Sequence, residues 1–231
     1  MKKAPPVILL SGMGADDRVF ASLRGQLPNL IVPAWPKPRP RESLRLYASR
    51  LAAAIDPGVP CYIGGASFGG FVALEMIPHL QPLGCFLIGS LRRADELPAA
   101  LKAHRGIAAG AVSHLPFEIA QTLGALLLTS LRPTLGPHLA GLLDQLKASD
   151  AAFLRWASWA VLTWDGPYLD GDVPIHQIHG GRDRVLPVSL TTPDLVVCDA
   201  GHALSMSHPQ IVADFIRGAL QPARVRRSGR S

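Results

Sequence analysis

Charge is scarce in this chain: Asp, Glu, Lys and Arg make up 17% of its 231 residues. Soluble domains usually carry about a quarter, and disordered chains more, so a solvating or disordered chain is excluded. No uninterrupted apolar run reaches the roughly 18–20 residues that a membrane-crossing helix needs. Cysteine is also scarce, with Cys61, Cys85 and Cys198 far apart inside apolar stretches. An odd set without paired spacing argues against a disulfide framework or a zinc site and predicts three buried free thiols. The 22 glycines and 21 prolines follow no period, which excludes collagen-like and low-complexity classes. What is abundant is apolar: 48% hydrophobic residues and a mean hydropathy of +0.22, enough for a sizeable core.

The net charge of +6 hints at nucleic acid until it is located. Arg224, Arg226, Arg227 and Arg230 fall in the last eleven residues, which hold no acid. Residues 1–220 keep 19 basic against 17 acidic groups, a net of +2. The basicity belongs to a tail, read as frayed and solvated over 222–231, and no nucleic-acid partner is expected. Met1-Lys2-Lys3 resembles the basic end of a signal peptide, but Pro5-Pro6 interrupts it and the apolar run 7–10 is too short. The expectation is a cytoplasmic protein with no membrane partner.

Short apolar runs alternate with helical patterns, the signature of βαβ units and a parallel sheet. Strands are predicted at 6–10, 30–33, 60–64, 84–89, 175–179 and 195–198, and helices at 16–27, 42–55, 68–79 and 210–220. Between 90 and 172 the rhythm changes to helical stretches alone, at 115–131, 139–146 and 150–164. The predicted organisation is an α/β core formed by 1–89 and 173–221, with 90–172 inserted as a helical cap. Such an insertion would sit over the C-terminal ends of the strands, where parallel sheets bind ligands.

The sharpest motif is Gly65-Ala66-Ser67-Phe68-Gly69, between a predicted strand and a predicted helix. A serine there must take a strained conformation on a tight turn, and glycines two residues to either side remove Cβ atoms that would clash. The hydroxyl then stands above the sheet at a helix N-terminus, whose dipole favours a developing anion. Alone, this pattern is also compatible with an incidental glycine-rich turn. Two further segments raise its weight: His179-Gly180-Gly181-Arg182-Asp183 after the fifth strand, and Asp199-Ala200-Gly201-His202 after the sixth. Ser, Asp and His thus follow in that order, each just past a strand end.

In these motifs the sequence resembles the α/β-hydrolase superfamily, in particular its small capped serine esterases. The resemblance covers the chain apart from the insertion and the basic tail. It implies a mostly parallel sheet of about six strands, without the two antiparallel strands with which many relatives open. It also implies roles: Ser67 as nucleophile, His202 as general base and then acid, and Asp183 as the group that orients and supports the imidazole. The oxyanion would meet the backbone N–H groups of Phe68 and of Met13 in Ser11-Gly12-Met13-Gly14. Many relatives place histidine where Ser11 stands, which leaves Gly12 open as the alternative donor.

Other residues have plainer readings. His176 and His179 are three apart on a strand, so they face opposite ways and cannot share a metal ion; His179 is read as bracing the loop to Asp183. Asp95, beside Glu96, is the competing triad acid but reads as a solvated residue of the insertion. Trp156, Trp159 and Trp164 make an aromatic stripe at helical spacing, which usually means core. Trp156 and Trp159 are the candidates to line a substrate pocket above Ser67. The function expected is hydrolysis of a small-molecule carboxylic ester or thioester through an acyl-enzyme, with neither metal nor organic cofactor. Lactone opening, C–C bond hydrolysis, perhydrolysis, or ligand binding with little turnover are the rivals on the same scaffold.

Overall fold

In strand β1 (Val7–Leu10) all four side chains are buried, and alternation divides them between two cores. Val7 and Leu9 enter one, Ile8 and Leu10 the other. Only a strand covered on both faces has this pattern, as parallel sheets require. The computed structural model describes residues 4–103, 138–167 and 173–220. Within them, β1 is joined by β2 (Leu30–Ile31), β3 (Cys61–Ala66), β4 (Pro82–Ile88), β5 (Ile175–Gly180) and β6 (Leu195–Val197). They form one six-stranded sheet in the order β2-β1-β3-β4-β5-β6, and every pairing is parallel. The six predicted strands are these six, each within a few residues of its expected bounds. Among the described residues no helix is long and apolar enough to cross a membrane.

Helices cover both faces. Two short helical turns at Asp17–Phe20 and Ala21–Arg24 (α1) replace the single helix expected over 16–27. Asp16 caps the first of these by accepting from the Arg18 amide, and the second stops at Gly25. Helix α2 (Leu44–Ile55) begins two residues later than expected, because Ser43 caps it by accepting from the Leu46 amide. Helix α3 (Phe68–Met76) follows β3 with Ser67 alone between them, and tightens to a 3-10 turn at Ile77–His79, which contains Pro78.

Between β4 and β5 the described elements are a 3-10 turn (Ala94–Glu96), α4 (Ala99–Ala103), α5 (His138–Ala148) and α6 (Ala151–Thr163). The expected helix over 115–131 and the basic tail lie outside the described residues. After β6 come α7 (Leu204–Ser207) and α8 (Pro209–Leu220). Cys61 and Cys85 are buried free thiols, and burial pushes Cys85 up to about 12. Cys198 corrects the third expectation: it lies just past β6, the edge strand, and is exposed.

Helix α3 crosses so close to β1 that Gly69 has no room for a side chain. A Cβ there would sit 2.5 Å from the Ser11 carbonyl oxygen. Gly218, in the last turns of α8, would meet nothing within 4 Å. Gly69→Ala should therefore lower the thermal midpoint sharply or prevent folding, since backbone on both sides cannot yield. Gly218→Ala should leave it level or raise stability by about 0.4–1 kcal/mol. Thermal denaturation of the two variants checks the contrast.

Candidate active site

Because all six strands run parallel, the loops that leave their C-terminal ends share one edge of the sheet. The loop after β1 holds Ser11–Gly14, the turn after β3 holds Ser67, the loop after β5 holds Asp183, and the loop after β6 holds His202. Ser67 has φ 50° and ψ −120°, a left-handed conformation that a side chain rarely adopts. Its backbone is fastened on both sides. The amide donates to the Ile88 carbonyl at 3.0 Å; its carbonyl accepts from the Gly70 amide at 2.9 Å and the Ser90 hydroxyl at 2.8 Å. Gly65 is required as expected, since a Cβ there would lie 2.5 Å from the Gly69 oxygen.

Ser67, His202 and Asp183 are brought into one line. His202 Nε2 lies 2.8 Å from Ser67 Oγ, and His202 Nδ1 lies 2.7 Å from Asp183 Oδ2. A carboxylate can only accept, so Nδ1 carries the hydrogen and Nε2 is left to accept from the serine hydroxyl. Asp183 Oδ1 accepts from the Val185 and Leu186 amides, both at 2.9 Å. The side chain of Asp183 is wholly buried and that of His202 nearly so. Burial alone would raise the Asp183 carboxyl. The charge of a protonated His202 and hydrogen bonds from His179, His202 and the Leu186 amide outweigh that, and hold it well below the usual carboxylate range.

The glycines before Asp183 act differently from the sharp bend their sequence suggests. Neither has a positive φ. A Cβ on Gly180 would lie 2.6 Å from the Ala200 oxygen, so the pair lets the two loops bearing Asp183 and His202 touch. Asp95 stays outside this arrangement, exposed and paired with Arg93 at 3.0 Å. Asp199, three residues before His202, is exposed and lies 3.4 Å from His208. His176 and His179 do diverge: the first stacks on Phe86, the second turns toward Asp183.

A cavity of about 280 Å³ opens over Ser67 and His202. Met13 and Phe68 line it beside the serine; Leu142 and Leu146 enter from α5, and Leu154, Ser158 and Val161 from α6. The described lining contains no Asp, Glu, Lys or Arg. Trp156 and Trp159 are not among the lining residues, which corrects the expectation placed on them. Helix α6 turns its 154–158–161 face to the cavity, so residue 156 looks away. Trp156 packs 4.3 Å from the Tyr47 ring and donates Nε1–H to the Glu42 carbonyl at 2.7 Å. Trp159 packs against the core on the α2 and α3 side.

Three contacts that the sequence did not announce tie the insertion to the loop after β1. The Asp16 amide donates to Gln145 Oε1 at 3.0 Å, Ser158 Oγ reaches Met13 Sδ at 3.6 Å, and Leu146 lies against Gly14. Ser90 was also not anticipated; a small polar residue directly after a strand end opposite the Ser67 turn was its only signal.

The profile of the alpha/beta hydrolase family matches residues 7–215. A comparison with curated protein sequences finds no match. Solved structures with the same fold include a thermophilic esterase from Thermogutta terrifontis, at 19% identity and a TM-score of 0.69, covering 94% of this chain and 89% of that one. An esterase from Exiguobacterium antarcticum has 14% identity and a TM-score of 0.72, with 96% and 94% covered. A bromoperoxidase from Bacillus anthracis has 12% identity and a TM-score of 0.65, with 95% and 93% covered.

The depressed Asp183 carboxyl has a consequence for stability. The unfolded chain, near the ordinary 3.8, binds that proton more readily than the folded one. The contribution is therefore complete above about pH 4–5 and is lost as pH falls through the folded-state value. Wild-type protein should lose thermal stability below about pH 4 more steeply than Asp183→Asn, which has no proton to take up there. Thermal melts of both proteins across that range check it; parallel curves would count against it.

Proposed function

The chain belongs to the alpha/beta hydrolase family, and on that premise we propose that it is a serine hydrolase cleaving a carboxylic ester or thioester through an acyl-enzyme. The observation that carries this reading is the unbroken line of hydrogen bonds from Ser67 Oγ through His202 to Asp183, ending on a serine in a strained turn. His202 Nε2 takes the hydroxyl proton as Oγ attacks the carbonyl carbon. The imidazolium so formed keeps its Nδ1–H on Asp183, whose charge stabilises it. The same Nε2–H then protonates the departing alcohol or thiol, and a water, deprotonated in turn by His202, releases the acid.

The tetrahedral oxyanion is assigned to the amides of Phe68 and Met13. Phe68 opens α3, so the helix dipole adds to its N–H. Met13 lines the same cavity, on the loop that Gln145 and Ser158 contact from the insertion. The cavity supports an uncharged substrate: about 280 Å³ is at the small end of ligand sites, and among the described residues its lining holds no Asp, Glu, Lys or Arg to pair with a charged group. Short and medium apolar acyl chains fit these limits. The helices α5 and α6 act as part of a cap over the site, and the protein works as a catalyst on small molecules without a metal or organic cofactor.

The assignment of the acid separates this reading from its nearest competitor. Asp183→Asn should lower kcat by up to about 10⁴-fold, because the imidazole loses its tautomer and its counter-charge. Asp95→Asn should change kcat by less than about tenfold, and Ser67→Ala should abolish ester turnover. Steady-state kinetics on p-nitrophenyl esters of increasing chain length, with melting curves for each variant, decide the ranking. A folded Asp95→Asn protein more impaired than Asp183→Asn would overturn it.

A further inference from the structure

His179, in β5, is fully buried, and the steps above do not use it. Its Nε2 lies 2.7 Å from the Leu186 carbonyl oxygen and 3.2 Å from Asp183 Oδ2. A carbonyl has no proton to give, so Nε2 carries the hydrogen; it donates to Leu186 and holds its positive end 3.2 Å from Asp183 Oδ2. Its Nδ1 is buried with no hydrogen-bond partner among the described residues. A buried ring nitrogen left unpaired is destabilising, since it has given up its hydration for nothing. Packing alone therefore gives no reason for an imidazole at this position; the Nε2–H contact does.

The approach to Asp183 falls on the oxygen that also holds His202 Nδ1, at 2.7 Å. Two imidazoles thus converge on Asp183 Oδ2, one from a strand and one from the loop after β6, while two amides hold Oδ1. His179 belongs to the sheet, so its hold on Oδ2 persists if the loop bearing His202 shifts. An N–H dipole 3.2 Å from Oδ2 also draws off part of the charge which that oxygen offers to His202. Resting on the triad reading above, we propose that His179 is a positioning residue: it aims Asp183 Oδ2 at His202 and moderates how strongly that oxygen favours the protonated ring.

Among the described residues, the ionisable groups facing this carboxylate are His179 from β5 and His202 from the loop after β6. Arg182 and Arg184, its neighbours in the chain, are exposed, and Asp199 is turned to His208. Removing the Nε2–H should therefore act on His202 through Asp183 and through no other charge.

The test compares His179→Phe, which keeps a ring without the donor, with His179→Gln, whose amide N–H reaches about as far as Nε2. His179→Asn, with an amide too short to reach Oδ2, is a second donor-free variant should the phenylalanine protein not fold. Donor-free variants should lower kcat about tenfold with KM within about twofold. They should move the acid limb of the kcat/KM profile up by about half a pH unit, since a less restrained Oδ2 makes His202 easier to protonate. His179→Gln should return the limb to its wild-type position. A purely structural role would lower the melting temperature and the fraction of sites titrated by a fluorophosphonate, but leave the limb in place. That outcome, or a glutamine variant displaced like the others, overturns the proposal. Failure of Ser67 as nucleophile would show instead in the wild type, as absence of labelling. In that case the downfield proton resonance of His202 Nδ1–H decides without turnover: a further downfield shift in the donor-free variants supports the proposal, and an unchanged position overturns it.

Discussion

The left-handed backbone at Ser67 is the constraint around which the neighbouring structure is arranged. A non-glycine residue at φ 50° costs on the order of 1–3 kcal/mol and persists only where its surroundings enforce it. Here β4 enforces it from one side, through the Ile88 carbonyl and the Ser90 hydroxyl, and the first turn of α3 from the other. Gly65 and Gly69 leave room for a helix that begins one residue after a strand ends and runs back against β1. The strain raises the hydroxyl above the sheet edge, where the loops from β5 and β6 meet it.

A second constraint follows from burial. Asp183 is a carboxylate without solvent, and such a group is tolerable only when its lone pairs are filled. Two amides and His202 fill them, and the His179 Nε2–H stands 3.2 Å from Oδ2. The same filling that makes the buried charge affordable also fixes where His202 must point. Stability and chemistry therefore depend on one set of contacts. In the proposed reaction the cavity above adds to this, because its described lining brings no charged side chain to compete for the charge developing beside Ser67.

Much of the arrangement was legible in the sequence, for reasons that can be named. The six strands announce themselves as short apolar runs because a parallel sheet buries both faces, and Val7–Leu10 is wholly apolar for that reason. Ser67, Asp183 and His202 could be picked out because each follows a strand, and parallel strands bring their following loops to one edge. Contacts across the fold were not legible. Gln145 reaching the Asp16 amide spans 129 positions, and no local pattern encodes it. The face that α6 gives to the cavity was misread for a related reason. Trp156 and Trp159 drew attention as aromatics at helical spacing, but Trp156 stands two positions from Leu154 and from Ser158, and Trp159 two from Val161, and two positions on a helix is more than half a turn. The surface chosen was the one carrying Leu154, Ser158 and Val161. A Gly-Gly pair ahead of Asp183 suggests a bend, but Gly180 serves a close approach, a distinction that depends on the partner loop at Ala200.

The account stands or falls on a covalent intermediate at Ser67. Rapid chemical quenching of the enzyme during turnover of a short-chain p-nitrophenyl ester, followed by peptide mass spectrometry, observes it directly. The predicted result is an acyl adduct on the peptide containing Ser67, appearing with the burst of p-nitrophenol and decaying at the rate of steady turnover. Turnover with no adduct when hydrolysis of the acyl-enzyme is slowed by low temperature, or an adduct on another residue, would contradict it.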